Sequence, residues 1–421
     1  MNTPCWPSMI PLRQLFPPRS PLDLASVLRP QLARLAVQPG QRIAVGVGSR
    51  GITNLREMVA EVIGHLQRLG AKPFIIPAMG SHGGATPEGQ TTLLAEYGVT
   101  ETDLGVPVCA SLEVELVGKT AEGAEVFLSV EALKADGVIV VNRVKPHTDF
   151  TGDLGSGLLK MLAIGLGKRI GATSLHASAS RYGHESVLLQ AGRIALGRLP
   201  VVGGVAIVED QRHQTALLEV LLPEVIEKRE KELLIEARRL MGKLPFDDID
   251  LLIVDRIGKN ISGAGLDPNV VGRGVQGYSS DTADMKTKPV IRRIFVADLT
   301  PETHGNAIGV GMADFTTARL ARGMDAKATY INSITALSHQ CAKLPMHFER
   351  DTDTLAAAFA TLALPSGITP RVMHIKDTLN LETLAVSENF ASELDSRADL
   401  ARLGPSEELR FDSDARVVPI S

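Results

Sequence analysis

The chain has 421 residues, a net charge of −4, 44% hydrophobic and 22% charged residues, a globular composition with room for two cores. That charge gives no footing for nucleic acid or an anionic membrane, and no apolar run reaches the ~20 residues of a spanning helix. Cys5, Cys109 and Cys341 are scattered and make neither a disulfide framework nor a thiolate metal site, so a cytoplasmic protein is expected.

Proline breaks up the N-terminal stretch through Pro21, which lacks the apolar core of a secretion signal and reads as a mature arm. Arg42–Ser49 reads as a buried strand. Leu55–Gly70 has apolar residues at helical spacing and a C-capping glycine, and Lys72–Met79 is the next strand of a βαβ unit. Asp136–Val144 and Val201–Asp210 are near-continuous apolar runs of the kind buried in parallel sheets. Glu224–Met241 reads as an amphipathic helix whose charge run is a solvated face. After Gly242 a fresh alternation begins, with strands at Ile249–Gly258 and Val290–Leu299 and helices around Gly311–Arg322 and Thr352–Leu364. The expected fold is two α/β domains with mainly parallel sheets, residues 1–245 and 246–421, with a ligand site in the crevice between them.

Four loops at strand ends carry chemistry, the edge where α/β sheets bind ligands. In "GSRG" (Gly48–Gly51), Arg50 either presents its planar fork to a carboxylate or simply faces solvent. "GSHGGATPEGQ" (Gly80–Gln90) opens a helix with Thr86 as N-cap and Pro87 at the first helical position. Its glycines, Ser81 and His82 suit a phosphate, although it is neither a Walker loop nor a dinucleotide fingerprint. "VKPHTDFTGDLGSGLLKM" (Val144–Met161) leaves the third strand with His147, Asp149, Asp153 and Lys160 spaced by glycines, and His176 follows. A reachable imidazole suits proton transfer, and an apolar setting favours covalent chemistry at Lys160. His184 and Lys168 read as structural, Lys168 as a surface lysine at a helix end.

The fourth loop, Gly258–Gly277, offers Lys259, Asn260, Asp267, Asn269, Arg273 and Gln276, with Asp267-Pro268-Asn269 readable equally as turn chemistry. His304, His339, Cys341 and His347 have no ligand spacing and are expected to be structural.

These loops, in this order, resemble the lactate racemase family, whose members carry a nickel-pincer nucleotide, over most of the chain and best over residues 40–180. The resemblance implies that Arg50, aided by Arg273, binds a substrate carboxylate, and that Ser81, His82 and Gly83 contact the cofactor. By the same match His147 is an acid/base, Lys160 holds the cofactor through a thioamide bond and His176 ligates nickel. The implied reaction is racemisation or epimerisation at C2 of a 2-hydroxy acid, a sugar acid as well as lactate. Protein made without the cofactor-synthesis enzymes is expected to lack the cofactor.

Three departures stand out. Cys109, Ala110 and Ser111 occupy the region of the family's second catalytic histidine. Gly272 and Val275 stand where its Gln and Lys belong, and Val47 replaces the aspartate before Arg50. Two other readings stay open: a cofactor-free lyase or isomerase using Lys160 and His147, and a two-domain binding protein for a hydroxy acid or nucleotide.

Overall fold

The computed structural model describes residues 5–48, 51–274, 288–365 and 367–420. The chain divides into two compact units, one of Arg19–Met241 and one of Met1–Pro18 with Gly242–Ser421.

The Arg19–Met241 unit is built on a five-stranded sheet in the order Lys72–Pro77, Arg42–Val47, Gly137–Arg143, Val201–Glu209, Thr215–Leu221. The first four strands are parallel and the last is antiparallel. Successive side chains enter opposite cores: Ile43, Val45, Val47, Ile139 and Val141 on one face, Ala44, Val138 and Val140 on the other. Burial of both faces is why these strands read as unbroken apolar runs rather than alternating ones. Helix Leu55–Arg68 covers one face with Leu55, Met58, Val59, Val62, Ile63 and Leu66, and the chain turns out of it through Gly70 at φ 76°.

The site segment crosses the other face. Strand Gly137–Arg143 gives way to a loop whose ends are pinned where Lys145 and Ser156 bond each other's backbone in both directions. The chain then re-enters the core as helix Leu158–Lys160, a π-helical turn Met161–Gly165 and helix Lys168–Tyr182. Leu158, Leu159, Leu162, Ala163 and Leu166 are buried there, each leucine contributing ~1.5–3 kcal/mol. Gly183 at φ 92° ends that helix, and helix His184–Arg198 follows at once.

The second unit holds an eight-stranded mixed sheet. Strands Phe315–Thr316, Val290–Leu299, Asp248–Ile257 and Val372–Ile375 are parallel, and Thr383–Ser387, Ser8–Gln14 and Leu400–Arg402 continue it antiparallel. The N-terminal arm, expected with the first domain, is therefore a strand of this sheet, paired with Thr383–Ser387 from Met9 to Arg13. Buried Met9, Ile10 and Leu12 repay that long-range pairing. No helix among the described residues is long and apolar enough to cross a membrane.

Candidate active site

His147, Lys160 and His176, separated in sequence, line one cavity with His184. Its walls are apolar: Phe150, Ile164, Leu175, Ala179, Val187 and Leu188. The enclosed space is about 20 Å³, room for roughly one water, so the lining must part to admit anything larger.

The central contact joins Lys160 Nζ to His147 Nε2 at 2.7 Å, with Ser156 Oγ 3.4 Å from the amine. His147 Nδ1 accepts from the backbone N–H of Asp149 at 3.1 Å. Which of the two groups donates in the Lys160–His147 contact is set by the tautomer of the ring. Burial, then the Lys160 charge, pushes His147 well below the usual histidine range. The same two causes lower His176 to about 4, and burial lowers His184. Burial alone would raise the Asp149 carboxyl, but His147, a hydrogen bond from Thr148 at 2.7 Å and Lys160 outweigh it and hold it low. The pocket thus offers neutral imidazoles beside an amine.

Side chains from elsewhere hold this backbone. Glu185 accepts from the N–H groups of Asp153 at 2.6 Å and Leu154 at 3.1 Å, and Arg238 donates to the carbonyl of Gly152. Asn142 Nδ2 donates to Gly157 O at 3.2 Å, and Glu230 Oε2 accepts from Leu158 N at 2.7 Å and Leu159 N at 3.0 Å. The Gly80–Gln90 loop docks alongside, Gly80 N donating to Gly165 O at 3.1 Å. Thr86 caps helix Pro87–Glu96 as the sequence predicts, accepting from Gly89 N at 3.0 Å. Ser81, His82 and Gly83 are half-buried in this loop and are not among the residues lining the cavity.

Arg50 and Gln276 are outside the described residues. Arg273 belongs to the second unit, where its fork is filled by Asp314 at 2.7 Å and the carbonyls of Met312, Ile291 and Arg292.

Three residues depart from the sequence reading. His184 is a pocket residue, stacked on Phe150 with centroids 5.3 Å apart, while His147 stacks on the same ring at 4.5 Å. No local signal marks it, because its partner is 34 positions away in the sequence. Lys168 is fully buried rather than a surface lysine, donating to Pro77 O at 2.7 Å, and burial lowers its amine to about 8. Glu230, in the supposedly solvated helix, is 1% exposed. A signal did exist for it: Ile226, Glu230, Leu233, Leu234 and Ala237 form one helical stripe.

A mainly parallel α/β unit presenting an amine and imidazoles beyond a strand's carboxyl end defines a class, proteins that hold small ligands at that edge. Residues 28–183 match the family model of the lactate racemase N-terminal domain. Among solved structures, the lactate racemase apoprotein from Thermoanaerobacterium thermosaccharolyticum is similar at 13% identity and TM-score 0.45, over 86% of this chain and 83% of that one. No curated protein matches the sequence.

Proposed function

We propose that the protein is a racemase or epimerase inverting C2 of a 2-hydroxy acid, with a nickel-pincer nucleotide held by Lys160 and His176. The observation that carries this reading is the amine of Lys160 lying 2.7 Å from His147 Nε2 in a cavity that His176 also lines. The donor set suits such a group. Among the described residues no cluster of three or more His, Cys, Asp or Glu could hold a metal unaided. A metal held here would bring further ligands of its own beside the His176 imidazole and the Lys160 amine. When bound, that cofactor accepts and returns the C2 hydride of the substrate.

This chain's residues supply the rest. His147, neutral because burial and Lys160 disfavour its charged form, would take the hydroxyl proton on its imidazole and give it back. Held through an acyl-type linkage, Lys160 would carry no charge and would no longer depress His147. Arg50 would clamp the substrate carboxylate, and Ser81, His82 and Gly83 would contact the nucleotide. The apolar walls exclude water, which strengthens each polar contact.

Protein made alongside the cofactor-synthesis enzymes should invert single enantiomers of 2-hydroxy acids, followed by chiral chromatography in deuterated water. Inversion with the C2 hydrogen retained is expected; deuterium at C2 would instead indicate proton abstraction and refute hydride transfer. The same amine–imidazole contact also suits a cofactor-free lyase, in which Lys160 would condense with a substrate carbonyl, releasing water. Borohydride trapping of such an imine in protein without cofactor would select that reading.

A further inference from the structure

We propose that Glu230, together with Asn142, is the positioning residue that sets Lys160 against His147. The proposal rests on the reading above only in taking Lys160 as the reactive amine.

The key feature is a single peptide unit gripped from both sides. Asn142, near the end of strand Gly137–Arg143, donates to the carbonyl of Gly157 at 3.2 Å. Glu230, from helix Ile226–Leu240, accepts from the N–H of Leu158 at 2.7 Å. Those two groups belong to the same peptide plane, and Glu230 also takes the next N–H, Leu159, at 3.0 Å. Lys160 is the next residue in that turn. With both ends of its plane fixed, the turn cannot rotate about its axis, and rotation is what would swing Lys160 away from His147.

Glu230 is a costly choice for mere packing. It is 1% exposed among Ile226, Leu233 and Leu234, and its second oxygen, Oε1, is buried with no hydrogen-bond partner among the described residues. An apolar side chain would fill such a site more favourably than a buried carboxyl. Burial raises the carboxyl to about 7, against the pull of the two amides. The fold also makes room for it: a Cβ on Gly157 would sit 2.3 Å from Glu230 Oε1. Gly157 is extended at φ −171°, so it is this approach and not its backbone angle that a side chain there would disturb, by displacing the Glu230 carboxyl. The turn leads directly into the π-helical Met161–Gly165 segment on which the Gly80 loop docks, so its placement is passed on to that loop.

The test is acylation of the full-length protein by acetic anhydride at limited conversion, read by peptide mass spectrometry. Labelling at Lys160 is divided by that at exposed Lys327, and buried Lys168 is followed in the same digests. Glu230→Leu should raise the Lys160 ratio about tenfold, the loss of two buried amide contacts, with Lys168 unchanged. Glu230→Gln, whose amide oxygen still accepts from both N–H groups, should stay within about twofold of wild type. Asn142→Ala, which opens the other side of the same peptide, gives the same readout should Glu230→Leu not fold. An unchanged Lys160 ratio overturns the proposal, and so does a parallel rise at Lys168, which would make Glu230 a general stabiliser. No nickel is involved, so the result stands apart from the fate of the cofactor reading.

Discussion

Two loops leave their sheets at the same kind of edge with similar residues, and fold to opposite ends. After strand Gly137–Arg143 the backbone is held by Glu185, Glu230, Arg238 and Asn142, all from outside the loop. His147 and Lys160 are then turned toward each other across a cavity. After strand Asp248–Ile257 the loop's polar side chains are themselves spent on holding the fold. Lys259 Nζ donates to Gly263 O at 2.8 Å, and Asp267 Oδ1 accepts from Asn269 N at 2.9 Å. Asn260 Oδ1 accepts from Thr300 Oγ1 at 2.6 Å. Chemistry-bearing side chains are available for a ligand where other residues satisfy the backbone around them.

The sharpest way to break this comparison is to remove one lysine from each loop. Lys160→Ala should lower turnover of protein made alongside the cofactor-synthesis enzymes by at least ~10³-fold in the inversion assay, whereas Lys259→Ala should leave turnover within about twofold. His147→Gln comes next, with an expected ~10²–10⁴-fold loss in kcat and an unchanged melting temperature within a few degrees.

Glu230→Gln sharpens the comparison through pH. Burial raises the Glu230 carboxyl to about 7 from the 4.5 usual for a glutamate, so its contribution is intact below pH 4.5 and is lost as pH rises toward 7. Denaturant titrations should therefore show Glu230→Gln gaining roughly 3 kcal/mol over wild type between those limits. His176 has the opposite sign. With its folded value near 4, its contribution is present above pH 6.5 and is lost as pH falls to 4. His176→Gln should flatten that acid limb by on the order of 2 kcal/mol. The smallest expected effect is Lys259→Ala on stability, about 1 kcal/mol from its hydrogen bond to Gly263.

Local pattern made much of this legible. The strands of the first unit announce themselves as apolar runs, Thr86-Pro87 marks its helix start, and Asp267-Pro268-Asn269 is the turn its chemistry allows. The segment from His147 to His176 could be singled out because glycines, an amine and imidazoles follow a buried strand. What escaped was set by distant partners. Ser8–Gln14 finds its neighbour at Thr383–Ser387, and His184 finds Phe150 through stacking. Lys168 is buried beneath Pro77, a placement no period of the sequence encodes. Glu230 was hidden by its charge, although its place on the helical stripe pointed inward.

The most direct test of the account is the mass of the Lys160 peptide, with nickel content, from protein made together with the cofactor-synthesis enzymes. The account predicts a nucleotide-sized addition on Lys160 and about one nickel per chain, with the metal lost in His176→Ala. An unmodified Lys160 in nickel-free protein that still inverts a 2-hydroxy acid would contradict it.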